Sequence, residues 1–268
     1  MLKRYKKENE KSTSWGNVAD WYDENVEQEG SYQRDLILPN IIRLMNIKPG
    51  DNIIDIACGQ GMFSREFTKL GAAVVGIDVS PELITIAKDR SKRMNVEYKI
   101  SSAEKINGVK SGEFDKATIV LAIQDIENLS GVINEASRVL KSNGELFIVI
   151  NHPNFRIPKR SSWGFDDVKK IQYRRVDEYI SESRVKIEVH PSTRLEQSRD
   201  TRSGQATTSF HRPLQTYFKA FQKAGFAVSR LEEWVSGKQS EKGPRADAEN
   251  KARREFPLFM ALVLKKLT

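Results

Sequence analysis

A single cysteine, Cys58, occurs in the 268 residues. It excludes a disulfide framework within the chain, a cysteine-rich zinc site and a cysteine-held iron–sulfur cluster. Three histidines, His152, His190 and His211, are too few for a histidine-rich metal site, and no metal is expected. No run approaches the ~18 uncharged apolar residues that a membrane helix needs. The basic start MLKRYKKENEK is not followed by the apolar stretch of a secretory signal, so a reducing cytoplasm is the expected setting.

Hydrophobic residues make up 38% and charged residues 30%, a balance that buries a core and excludes disorder. The net charge of +8 is unevenly placed. Residues 1–150 carry 20 Lys and Arg against 22 Asp and Glu, whereas 151–268 carry 24 against 14. Either the second half meets an anionic partner, or its basic faces are solvated.

Helical spacing is predicted over 15–30 and 31–47, where Ile37, Ile41 and Leu44 recur at that period. Pro39 must either kink the second helix or sit in the first turn of a new one. Apolar runs at 52–57, 72–77, 96–100, 116–121 and 145–150 then alternate with helical patterns at 62–70, 81–93 and around Val132–Leu140. Such alternation argues for a parallel α/β sheet covered on both faces. The pattern breaks at 152–210, a basic and aromatic stretch with candidate strands near 171–181 and 183–190. It resumes as a helix at 213–223 and two last strands at 226–235 and 258–265, separated by a polar insert. These shifts divide the chain into an N-terminal helical cover (1–50), a nucleotide-type core (51–151), an inserted lid (152–210) and a closing helix and hairpin (211–268).

The sharpest motif is Asp55-Ile56-Ala57-Cys58-Gly59-Gln60-Gly61, between a strand and a helix. Its glycines permit close backbone approach, and the helix N-terminus behind them offers free N–H groups. Asp78 ends the next strand, where a carboxylate can pair with both hydroxyls of a ribose. The phosphate-binding string G-x-x-x-x-G-K-[ST] is absent, and Ser64 stands where a dinucleotide-binding loop prefers a third glycine. Asp55 would repel a pyrophosphate and suits an ammonium group. A ligand with a ribose, an amino-acid end and no phosphate is S-adenosylmethionine.

At these residues the chain resembles the class I S-adenosylmethionine-dependent methyltransferases of the small-molecule kind, over about 18–150 and again at 211–265. The resemblance implies a Rossmann-like, doubly wound seven-stranded sheet ending in an antiparallel hairpin. Asp55, Ala57, Gly59 and Gly61 would line the methionine end of the cofactor, Asp78 the ribose, and Val79 the adenine. Ser102, Ala103 and Glu104 fall near the adenine amine, with Ser102 where the family often has Asp. Leu121 and Ala122 would pass the cofactor, the segment Gln124-Asp125-Ile126-Glu127 would face the transferred methyl, and Tyr22 would cover it from the N-terminal helix.

On the acceptor side, His211 and His152 are the candidate bases. Arg156, Tyr173 and Arg212 are candidate substrate contacts, with Arg212 orienting an anionic group. The expected function is methyl transfer to a small, anionic or aromatic acceptor. Two other readings stay open: an RNA methyltransferase using the basic C-terminal half, and a non-catalytic regulator that binds S-adenosylmethionine.

Overall fold

A computed structural model describes residues 27–188 and 206–267. A π-helical turn, Gln33–Ile37, runs on into α1 (Leu38–Met45) with Ile37 and Leu38 both right-handed helical, so the chain neither stops nor restarts at Pro39, and the widened turn before it accommodates the proline. There follow β1 (Asn52–Ile56), α2 (Met62–Lys69), β2 (Ala73–Asp78), α3 (Pro81–Arg90) and β3 (Val96–Ile100). Next come β4 (Phe114–Val120), a 3-10 turn at Ile123–Asp125, α4 (Leu129–Val139) and β5 (Leu140–Asn151). Two hairpins, β6 (Ser161–Asp166) with β7 (Ile171–Val176) and β8 (Ser183–Glu188) with β9 (Ala206–His211), precede α5 (Leu214–Lys223). The last elements are β10 (Phe226–Trp234), α6 (Ala246–Glu255) and β11 (Phe259–Lys266).

Seven strands form one sheet in the order β3-β2-β1-β4-β5-β11-β10. The five from β3 to β5 run parallel, and β11 and β10 add an antiparallel hairpin beyond β5. Alternate side chains of each strand feed opposite cores. Ile54 and Ile56 join α4 and α5 through Val132, Ile133, Tyr217 and Phe221. Ile53 joins α1 and α2 on the other face through Ile37, Ile41 and Phe67. Both faces are therefore covered, and ligand groups must enter at an edge. Chain order reverses between β1 and β4, which places the crevice above the C-terminal ends of those two strands.

Side-chain caps set several helix starts. Ser80 Oγ accepts from Leu83 N at 3.2 Å with Pro81 in the first turn, and Asn128 Oδ1 accepts from Gly131 N at 2.9 Å. Helix α3 stops at Arg90, three residues short of the expected end. The Ser142-Asn143-Gly144 turn lies inside β5, where Asn143 (φ 62°) forms a bulge and pairing with β4 jumps from Phe114↔Leu140 to Lys116↔Glu145. Of the strands expected at 171–181 and 183–190, the first ends at Val176 and the second is described as far as Glu188, and each pairs with a partner the pattern did not show, β6 and β9. Helix α6 occupies the stretch read as a polar insert, and only Ala252 of it is buried. The helix expected at 15–30 lies almost wholly outside the described residues.

Candidate cofactor and acceptor site

The loop leaving β1 turns sharply, with Ala57, Gly59 and Gly61 all at positive φ (59°, 57° and 79°). Ala57 pays for that conformation with strain that glycine would avoid, a feature typical of ligand-binding loops. Gly61 starts α2, and a Cβ on it would collide with the Tyr98 hydroxyl beneath. Ser64 Oγ donates to Asp55 Oδ2 at 2.6 Å and Thr118 Oγ1 donates to Oδ1 at 2.8 Å, which fixes the carboxylate between α2 and β4. Burial still lifts Asp55 to about 6, with those two hydrogen bonds opposing the shift and nearby Asp78 adding to it.

Asp78 ends β2 and is nearly buried. Its Oδ2 accepts from Gly59 N at 2.8 Å and its Oδ1 from Ser80 N at 2.9 Å, so one carboxylate joins the glycine loop to the start of α3. Burial raises its pKa and the backbone donors restrain the rise. Val79 lies between this acid and the Ser80 cap. Ser101 N donates to the Asp78 carbonyl at 2.9 Å, which brings the Ser102-Ala103-Glu104 turn alongside. Ser102 Oγ accepts from Glu104 N at 3.2 Å, and Glu104 Oε1 accepts from Asn128 N at 3.3 Å. On the other side of β1, Leu121 leaves β4 at φ 52°, anchored by its N–H to Val149 O at 2.7 Å, and Ala122 opens the 3-10 turn.

A family model described as a methyltransferase domain matches residues 54–148, the interval holding the loop, Asp78, the 102–104 turn and the end of β4. Residues 54–148 are similar to the methyltransferase-domain family. The demethylmenaquinone methyltransferase of Tropheryma whipplei is 32% identical over 113 residues, covering 41% of this chain and 46% of that protein. The ubiquinone biosynthesis O-methyltransferase of Xanthomonas oryzae is 31% identical over 101 residues, covering 37% and 42%. The chain thus spans a little under half the length of these curated relatives. An S-adenosylmethionine-dependent methyltransferase from Mesorhizobium loti shares the fold at a TM-score of 0.65 and 22% identity, over 85% of this chain and 96% of that one.

S-adenosylmethionine is the cofactor that goes with a methyltransferase domain of this class, and the residues fit it. Gly59 and Gly61 leave the loop without a side chain at two of three positions, and two buried carboxylates, Asp55 and Asp78, flank it with no cationic side chain bonded to either among the described residues. Tyr22 lies outside the described residues. Glu27, which carries no motif signal, closes the same rim. It accepts from Gln60 Nε2 at 3.0 Å, pairs with Arg65, and faces Arg90 Nη1 at 3.1 Å. Arg65 also donates to the Gln60 carbonyl at 2.7 Å, so the N-terminal segment is latched to the glycine loop of the methyltransferase domain.

The acceptor-side expectations need correction. His152 follows β5, but both ring nitrogens are engaged: Nε2 with Glu233 Oε1 at 2.7 Å, and Nδ1 as acceptor from Asn154 N at 3.2 Å. Burial holds its pKa below the ordinary value against the pull of Glu233. Neither ring nitrogen is left free to act as a base in this arrangement. His211 ends β9 rather than opening the next helix, and its Nε2 donates to the Tyr179 carbonyl at 2.7 Å. That bond ties the end of β9 to the Tyr179 segment and leaves only Nδ1 for other work. Arg212 is buried, with Nη2 on the carbonyls of Ile126 and Glu127 at 2.8 and 2.6 Å and its guanidinium over the Phe210 ring at 5.1 Å. It clamps the turn after β4 and is not free to orient an anion.

Arg156 is half-buried, donating to Asn151 Oδ1 at 2.6 Å and lying over the Phe259 ring at 5.4 Å. Burial and the adjacent Arg174 guanidinium both lower its pKa. Tyr173 lies over Gly164 on a hairpin that packs against α6 rather than against the turn after β4, so it is not brought to Gln124. Gln124 stays at the acceptor end, buried beside Asp125.

Proposed function

We propose that the chain moves a methyl group from S-adenosylmethionine to a small aromatic acceptor, with an anionic substituent on the acceptor as its second recognition feature. The carrying observation is the pair of buried carboxylates, Asp55 and Asp78, on either side of the glycine loop. Asp78 would accept from the ribose hydroxyls, and Asp55 would face the ammonium end. When bound, the cofactor supplies a methyl carbon made electrophilic by positively charged sulfur. The chain's residues then have to bind, align and exclude water, which is where effective molarity arises.

Two observations favour the acceptor class. The curated relatives named above act, by their names, on quinone-type molecules. Arg156, half-buried at the end of β5, has its pKa lowered by burial and by the Arg174 guanidinium, and a carboxylate or another small anion would offset that repulsion. The described hairpins of the lid frame this edge. β8–β9 is tied over the turn after β4 by Arg212, and β6–β7 is held on α6 by Trp163 against Phe256 at 5.4 Å.

The test has two parts: calorimetric titration with S-adenosylmethionine and S-adenosylhomocysteine, then transfer of labelled methyl to hydroquinones, catechols and aromatic acids. Binding with turnover on this panel supports the proposal. Binding without turnover on any metabolite class would favour the regulatory reading, and transfer confined to RNA would favour the nucleic-acid one.

A further inference from the structure

Polar groups converge beside the turn after β4 without being used up by the fold. Gln124 donates from Nε2 to the Leu121 carbonyl at 2.6 Å and to Asp125 Oδ2 at 3.2 Å. Its Oε1 is buried and takes no hydrogen bond within the structure. Ser183 Oγ, on the residue paired with His211 across β8 and β9, is a second buried atom left unpartnered. A buried, unmet acceptor costs about 1–3 kcal/mol, so such atoms mark a place where a ligand completes the bonding. Beside Gln124 stands Asp125, whose Oδ2 accepts the Gln124 bond at 3.2 Å, with the Ser209 hydroxyl of β9 the other group that favours its charged form.

The place is set by topology. β4 neighbours β1, so this turn lies one strand away from the glycine loop, on the side opposite Asp78. A cofactor held by Asp55 and Asp78 therefore has the turn after β4 on its acceptor side. We propose that Asp125, positioned by Ser209 and Gln124, is the base that takes the proton from an acceptor hydroxyl, so the acceptor is methylated on an aromatic ring oxygen. This rests on the methyltransferase reading above.

The bonds balance. The acceptor oxygen forms a bond to the methyl carbon, the carbon–sulfur pair returns to sulfur, and the O–H proton ends on Asp125, which later loses it to water. Burial lifts this carboxyl to about 7, so near neutral pH it is available as the anion and can also release what it takes up. The charged and titratable groups around it leave the role open. Arg212 is spent on carbonyls, Tyr217 of α5 is buried with its pKa raised, His211 donates to Tyr179, and Glu127 faces Arg184 at 3.8 Å.

The experiment compares wild type, Asp125→Asn and Ser209→Ala on catechol, protonated at neutral pH, and on 4-nitrocatechol, already ionised there. For catechol, Asp125→Asn should lower kcat/KM by about 10²–10⁴-fold and abolish the rise of rate with pH through about 7, while 4-nitrocatechol is little affected. Ser209→Ala should lower the catechol rate in the same direction by less. A second readout needs no turnover. In alkaline solution, with S-adenosylhomocysteine bound, Asp125→Asn should hold 4-nitrocatecholate more tightly than wild type, because two adjacent anions repel. An equal loss on both acceptors, unchanged nitrocatecholate affinity, or no transfer to either acceptor while S-adenosylhomocysteine still binds would overturn the assignment. Failure of wild type to bind S-adenosylhomocysteine would overturn the methyltransferase reading itself.

Discussion

Asp55 sits between two hydroxyl donors and is nevertheless lifted to about 6 by burial. The folded protein therefore keeps a proton that the unfolded chain loses near pH 4, the ordinary carboxylate value. The stability it contributes is whole below about pH 4 and is lost as pH rises through about 6. Asp55→Asn should flatten that part of the pH profile of urea unfolding. A ligand ammonium favours the anion, so S-adenosylmethionine affinity should rise with pH through the same value; a pH-independent affinity would separate Asp55 from the methionine end. Gly61→Ala is predicted to abolish binding, since its Cβ meets the Tyr98 ring at positive φ. Among single residues, the places of Asp55 and Asp78 beside the glycine loop were legible because they follow from neighbours in the chain. His152, His211 and Arg212 were not, because their partners Glu233, Tyr179 and Ile126 come from 81, 32 and 86 residues away.

Elements with a strong apolar period were readable, and those held by a few long-range contacts were not. β1, β2, α4 and β11 carry their burial pattern openly, whereas α6 buries only Ala252 and relies on packing against β7. β6 escapes notice because its positions stay exposed or partly exposed, and β9 because the residues it buries, Thr207, Ser209 and His211, are polar. The link from β9 to the turn after β4 rests on Arg212. Arg212→Ala should leave two buried carbonyls unmet and destabilise the protein by about 1–3 kcal/mol, read from urea midpoints, with the acceptor's KM little changed. A KM effect with unaltered stability would instead return Arg212 to the acceptor. The N-terminal latch makes a parallel prediction. Glu27→Ala removes the shared partner of Gln60, Arg65 and Arg90, so trypsin should cut the segment before α1 faster, above all in the cofactor-free protein.

At the scale of the whole molecule, the alternation of strands and helices announced a parallel sheet covered on both faces, and the sheet order places its crevice between β1 and β4. The division of charge is less directly legible. The basic second half partly neutralises itself through pairs such as Arg160 with Glu178 at 2.9 Å and Arg175 with Asp177 at 2.8 Å, and partly supplies the Arg156–Arg174 pair. No helix among the described residues is long and apolar enough to cross a membrane. The central claim is that the two buried carboxylates beside the glycine loop hold S-adenosylmethionine. Calorimetric titration of wild type and Asp78→Ala with S-adenosylhomocysteine tests it most directly. The ribose hydroxyls should lose a buried partner in the variant, weakening binding by about 1–3 kcal/mol, or roughly 5–150-fold. Equal affinity in the two proteins, or no binding to wild type, would contradict it.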